Sequence, residues 1–348
     1  MRKGKRWLAA AVSAAMIVQS LASVGPVYAA DDGVSIADTF TDSSFRSYVS
    51  SNFDTDSNGY LSDAEISNVT SIDVSKCSPA ISSLNGVELF TNLSKLDCNE
   101  QSIRNLDIEN LENLEYIDVS SNRIDSLTLP VSAEKLTYLD ISGNKITSLT
   151  SLADYNNLVL LNANSTNLSS IDVSNMKGLK VLGVSGTTIS TLDLGSNMEL
   201  TTLYCDSMRS LPVLDVSGHE KLKNLYCAGA KSDSGVVVRS SITKLDVSGD
   251  IVLGSLDCSN SYVAELNIDN TPALTTLDCS NTRLTSIDVS KNTSLSYLDV
   301  SSNVLGVVDF TANTALRELY VKDTGINKLD VSTLTNLVNL DASSNSLA

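Results

Sequence analysis

The chain is predicted to fold as a β-rich parallel solenoid, closed at its N-terminal end by a small α-helical cap. Three observations carry this expectation. A unit of about twenty-one residues recurs from residue 69 to residue 348, with Leu253, Leu274, Leu295, Leu316 and Leu337 spaced at intervals of 21. Each unit holds two short stretches in which apolar and polar residues alternate, the period of a strand with one buried face. A stretch ahead of the array, residues 41–53, instead repeats its apolar residues at three and four.

Residues 1–29 are set aside first. Arg2, Lys3, Lys5 and Arg6 precede a run from Trp7 to Leu21 that is nearly free of charge, and Val27-Tyr28-Ala29 places small residues at −3 and −1. This is the pattern of a secretory signal peptide cleaved after Ala29, a membrane anchor being the other reading of so short an apolar run. Its four basic and no acidic side chains mean that removal takes the net charge from −17 to −21. So acidic a chain repels nucleic acid and anionic lipid, and it favours cations and basic partners. No later stretch is apolar enough to span a bilayer.

Residues 30–68 form the expected cap. Thr41 or Asp42 can start a helix whose Phe45, Tyr48, Val49 and Phe53 share one face. The next segment reads Asp54-x-Asp56-x-Asn58-Gly59-Tyr60-x-Ser62-x-x-Glu65, and it resembles an EF-hand calcium loop at every specified position. The resemblance implies Ca2+ as a structural cofactor. Its ligands would be the side chains of Asp54, Asp56 and Asn58, the Tyr60 carbonyl, a water held by Ser62, and both oxygens of Glu65. A metal-free polar turn is the other reading, and Ser62-x-x-Glu65 is also a capping box. The exit helix is expected to be short, because Val69 already opens repeat-like sequence, and there is no second loop to pair with.

Residues 69–348 form the array. Leu93, Leu114, Leu136, Leu158, Leu179, Leu200 and Leu222 continue the spacing at 21 or 22, giving about thirteen turns with the last incomplete. At about 4.8 Å per coil the stack runs roughly 60 Å. The unit L-x-x-L-D-[C/V]-S-x-[N/T]-x-L is similar to the leucine-rich-repeat family, with Asn122, Asn144, Asn303 and Asn345 at the family's turn asparagine. Thr166, Thr187, Thr282 and Thr324 replace that asparagine in other coils, and Cys77 holds the corresponding place in the first. The second half, L-D-V-S, suggests short strands or turns on the convex side. Long arrays of L-D-C-S and L-D-V-S resemble internalin-like surface proteins of Gram-positive bacteria. That resemblance implies a secreted or cell-surface protein that recognises protein or glycan through its strand face.

The remaining chemistry is sparse. Cys98, Cys205, Cys227, Cys258 and Cys279 take an inward place that sister coils fill with valine, so free buried thiols are expected, a Cys205–Cys227 or Cys258–Cys279 bridge being the alternative. His219, the sole histidine, reads as a solvated turn residue. With the one histidine far from any outward-facing cysteine, and with aspartates in nearly every coil, nothing marks a catalytic centre, and the chain is read as a non-enzyme. Asp97, Asp118 and Asp140 share one outward position, as do Asp257, Asp278 and Asp299. Like charges one strand apart oppose the fold unless water, salt and serine hydroxyls relieve them, or cations or a basic ligand do. Tyr116, Tyr138, Tyr204, Tyr226, Tyr297 and Tyr320 project from the same sheet and make its face the expected contact surface. The step from Leu222 to Leu253 is longer than every other, the excess falling in residues 229–240 as either a tolerated excursion or a functional loop. Ala348 stands mid-repeat, which leaves room for a non-catalytic binding arm of a larger secreted or wall-anchored protein, or for a structural surface spacer.

Overall fold

The computed structural model describes residues 33–348, apart from 150–151, 153–154 and 232–235. The expected signal peptide lies outside the described residues. One parallel sheet of thirteen strands runs the length of the array, its spatial order following the chain from Ser71–Asp73 to Asn339–Asp341. Each strand is only three residues long, because so short a coil must turn back on itself within one circuit. In every strand but the last the central residue is buried, as Leu96, Ile117, Leu139 and Leu161 are, while its two neighbours face outward. Pairing is in strict register, so Leu182 meets Leu161 on one side and Leu203 on the other.

The opposite wall is mostly turns. Strands form there in two places, Asn105–Asp107 beside Ser126–Thr128, and Val213–Asp215 beside Lys244–Asp246 and Glu265–Asn267. The recurring L-D-x-S explains the corners of both walls. Asp118 Oδ1 accepts from the Ser120 amide at 3.0 Å and hydroxyl at 2.7 Å, and Asp309 Oδ1 does the same for Thr311 at 2.8 and 2.7 Å. A short acidic side chain that binds the backbone two residues on closes a turn locally.

Inside the corner after the strand, asparagine stitches coil to coil at Asn122, Asn144, Asn303 and Asn345. Asn303 donates to the carbonyls of Cys279 and Val300 at 2.9 and 3.0 Å, and its Oδ1 accepts from Leu284 N at 3.0 Å. Thr187 at the equivalent place donates to a carbonyl of its own coil, Val184 O at 2.7 Å, and reaches the next coil only through the weak acceptor Met208 Sδ at 3.6 Å. Gln101 does the work in the first turns, accepting from Ile81 N at 2.8 Å and donating to Ser75 O at 3.2 Å.

The cap seals the first coil with aromatic rings. Asp42 caps the helix Ser43–Asn52, accepting from Ser44 N and Phe45 N, and Phe45 and Val49 are fully buried. Phe90 of the array stacks on Phe40 at 6.0 Å and meets Phe53 edge-on at 5.3 Å. Polar ties join cap and coil as well: Ser82 donates to Asp42 Oδ2 through its amide (2.8 Å) and hydroxyl (2.7 Å), and Asp73 N donates to the Tyr48 hydroxyl at 3.2 Å.

The longer coil folds its excess into a hairpin, with Ala230–Lys231 antiparallel to Val237–Val238. Gly229 is required at its foot, since a Cβ there would lie 2.0 Å from Asn260 O. Arg239 fastens the other side, donating to Ser261 O at 2.8 Å and to the carbonyl and side-chain oxygens of Asn281.

Candidate functional site

The loop Asp54–Glu65 is held in a tight fold by its own amides. Asn58 N donates to Asp54 Oδ1 and Asp56 Oδ1, both at 3.1 Å, Gly59 N donates to Asp54 Oδ2 at 3.0 Å, and Tyr60 N donates to Asn58 Oδ1 at 2.7 Å. Ser57 and Gly59 take positive φ of 57° and 86° to make the bend. Asp54, Asp56 and Glu65 each bring one carboxylate oxygen within 4.8 Å of the others. Asn58 Nδ2 adjoins them, 3.0 Å from Asp56 Oδ2. The three carboxylates are hard oxygens of the kind that suit a calcium-type cation, whereas Asn58 presents its amide nitrogen to them and its Oδ1 to Tyr60 N.

Glu65 also closes the loop through protein contacts. Its Oε1 accepts from Thr55 N and Oγ1 at 2.7 and 2.6 Å, and its Oε2 from Ser62 N and Oγ at 2.9 and 2.8 Å. Partial burial pushes this carboxyl up, but the four hydrogen bonds outweigh it and bring it down to about 2. Ser62 Oγ accepts from Glu65 N in return, so the expected capping box starts the short exit helix Asp63–Asn68. Tyr60 falls in a two-residue strand, Tyr60–Leu61, whose partner is Val34–Ser35. A segment from the start of the cap thus takes the place that a second loop would hold.

The six tyrosines do lie on the outward strand face, but in two rows rather than one. Tyr116, Tyr138 and Tyr297 open their strands, whereas Tyr204, Tyr226 and Tyr320 end theirs. They meet as three pairs. Tyr116 stacks on Tyr138 at 4.2 Å, Tyr204 on Tyr226 at 5.0 Å, and Tyr297 tilts against Tyr320 at 5.6 Å. Burial, helped by neighbouring charges, pushes the Tyr116, Tyr138 and Tyr297 hydroxyls up, Tyr138 to about 12.

The aspartate rows are as the sequence places them. Asp73, Asp97, Asp118 and Asp140 are successive register partners, and so are Asp257, Asp278 and Asp299. Burial, reinforced by adjacent carboxylates, raises Asp97, Asp118 and Asp278, the last to about 6. Corner serines relieve part of this strain, Ser120 at Asp118 and Ser280 at Asp278 each donating twice.

His219 corrects a sequence expectation. It is not solvated but buried, with Nδ1 2.7 Å from Val216 O and Nε2 3.2 Å from Leu194 O. Its place recurs in other coils as Asn197, Asn292 and Asn313, which donate to carbonyls of the coil before. Sequence reasoning misses this second internal ladder. Its signal, a polar residue three before the unit-opening leucine, is nonetheless present in the six coils from Asn197 to Asn313.

The cysteines are free thiols, five of them buried. The strands preceding Cys205, Cys227, Cys258 and Cys279 are consecutive neighbours in the sheet, so the two expected pairs form one run of four. Within it the Cys205 and Cys227 thiols are hydrogen-bonded, which together with burial holds Cys227 well above the ordinary thiol range.

Leucine-rich repeats in two copies match residues 112–154, and a further leucine-rich repeat matches residues 291–308. No curated protein matches the chain. Among solved structures the chain is similar to the functional domain of InlJ from Listeria monocytogenes, described as including a cysteine ladder, with 26% identity, 89% of this chain and 76% of that one covered, and a TM-score of 0.58. It is similar also to the internalin InlF of Listeria monocytogenes, with 20% identity, 91% and 93% coverage and a TM-score of 0.67. YopM, a leucine-rich effector protein from Yersinia pestis, shares 22% identity over 74% of this chain and 68% of its own, with a TM-score of 0.60.

Proposed function

Starting from a leucine-rich-repeat fold like that of the Listeria internalins, we propose that this chain is a non-catalytic recognition or adhesion protein of the bacterial exterior. It binds protein or glycan through its outward strand face, and Ca2+ orders its N-terminal cap. The three tyrosine pairs support this reading most directly. They bring partly exposed aromatic area, with polar tips, onto an unpartnered sheet. The carboxylates of Asp54, Asp56 and Glu65 support the cation. Among the described residues no helix is long and apolar enough to cross a membrane.

The test is surface-plasmon binding of the protein to immobilised extracellular-matrix proteins and to a panel of neutral oligosaccharides. Saturable binding to at least one component, weakened tenfold or more by Tyr116→Ala or Tyr226→Ala, is the expected result. Saturable binding indifferent to all six tyrosines defeats the strand-face reading, and no saturable binding at all favours a structural spacer. For the cap, thermal melts with added calcium and with chelator are expected to differ, and Asp54→Asn to abolish the difference.

A further inference from the structure

The strand face is divided by charge in a way that the one-dimensional order of residues conceals. Four consecutive strands, Leu160–Asn162, Val181–Gly183, Thr202–Tyr204 and Asn224–Tyr226, carry no charged residue. Leu160 and Val181 are partly exposed on this stretch, and the Tyr204 and Tyr226 rings lie nearly parallel, 7° apart. Its floor is flattened at Gly183. A Cβ there would come within 2.8 Å of both the Asn162 and Asn164 side chains, which occupy that space. Lys180 and Lys223 stand one residue before their strands, and Asp206, two residues after its own, accepts from Ala228 N at 3.0 Å and is the one carboxylate whose charge reaches Tyr204.

On each side of this window the outward rows turn acidic, ending in Asp140 on one border and beginning with Asp257 on the other. Five strand-to-strand steps separate these two residues, about 24 Å at about 4.8 Å per step. Lys95 pairs with Asp73 and Asp97 at 3.8 and 3.7 Å. Among the described residues no ion pair reaches Asp118, Asp140, Asp257, Asp278 or Asp299.

We propose, building on the strand-face reading above, that this sheet docks a protein segment with an uncharged, partly apolar centre and cationic residues flanking it, spaced to reach both borders. The charge pattern selects the class of partner. Lysine or arginine over the two borders offsets the repulsion within each row, while the neutral window releases water from apolar and aromatic area. A charge in the partner's middle would be buried there without a counterpart. A neutral glycan has nothing to offer the borders, and an acidic one is repelled by them.

Two synthetic peptides of identical composition test the idea by fluorescence anisotropy on the full chain. One has three lysines at each end of an eight-residue neutral centre containing tyrosine and leucine, about 26 Å when extended at about 3.3 Å per residue. The other carries all six lysines at one end. The spaced peptide is expected to bind at least tenfold more tightly, and to lose at least tenfold with Val181→Glu. Asp118→Asn and Asp278→Asn should each weaken it and flatten its salt dependence. Equal binding of the two peptides, no binding of either at millimolar concentration, or indifference to Val181→Glu in a protein of unchanged melting temperature overturns the proposal. Hydroxyl-radical footprinting separates the two levels of failure. Protection of Tyr204 and Tyr226 without preference for spacing sinks this inference alone, whereas protection confined to the convex wall sinks the strand-face reading on which it rests.

Discussion

The backbone N–H of His219 donates to Asp250 Oδ1 at 2.8 Å and joins two coils across the longest circuit of the array. Asp250 occupies the second ladder, where other coils carry Asn197, Asn292 and Asn313, and it is fully buried. Its Oδ2 has no hydrogen-bond partner among the described residues. Burial, with Asp246 and Asp215 adding to it against hydrogen bonds from His219 and Gly218, pushes this carboxyl up to about 8. At neutral pH Asp250 therefore stands in an asparagine position as an uncharged acid.

Asp250→Asn should consequently stabilise the protein. The folded state keeps the proton up to about pH 8, whereas the unfolded chain releases it near pH 4, so between these values the unfolded state binds fewer protons and stability falls as pH rises. The amide removes that loss and supplies the donor that the ladder uses elsewhere. A gain on the order of 2–4 kcal/mol is expected at pH 7. It should shrink steadily as pH is lowered towards 4. Urea midpoints at pH 4.5 and pH 7.5 check this, and an equal gain at both would show that Asp250 is not held neutral.

Glu65→Gln tests whether loop and cap are one device. Without metal it weakens the capping box and the ties to Thr55, costing roughly 1 kcal/mol. With calcium the loss should be larger, because a bidentate ligand is gone too. Titration followed by circular dichroism at several calcium concentrations separates the two effects. A variant that keeps the full calcium response would remove Glu65 from the ligand set.

Asn303→Ala removes the bonds donated to Cys279, Val300 and Ser301 and takes the acceptor from Leu284 N and Thr282 Oγ1. A loss of about 2–3 kcal/mol is expected. Thr187→Ala, which gives up a single strong bond within its own coil, should lose about 1 kcal/mol. Guanidinium denaturation of both variants ranks the two ladder chemistries.

The cysteine run predicts chemical silence. The five buried thiols should resist modification in the native protein, and all six should titrate after denaturation. Cys227→Val should cost less than about 1.5 kcal/mol, since Val119, Val184 and Val300 fill the same inward place in sister coils. Fewer than six thiols in the denatured protein would reveal a bridge.

The parts that were legible are those governed by local periodicity. The inward leucines, the corner asparagines, the Asp42 cap and the Ser62–Glu65 capping box each depend on neighbours within a few residues. The tyrosines could be assigned to the strand face but not to rows, because placing Tyr204 at the end of its strand and Tyr138 at the start of its own requires the strand boundaries. Phe90 gave no hint that it would stack on Phe40, which lies far from it in sequence.

The sequence alone determined that the chain coils with one short, nearly constant period, which apolar side chains line the interior, and where the helical cap meets the array. Alternation and spacing are properties of a short stretch of chain, and they survive without knowing what lies beside it. Only the tertiary structure decided what each coil sets against the next. Closure of the longest circuit continued the cysteine run from Cys227 to Cys258 and brought Asp250 to His219. In-register stacking gathered four uncharged strands between two acidic borders. Each of these contacts joins residues a full coil or more apart, so it exists only once neighbouring coils have found a common register, and that register is a property of the whole stack.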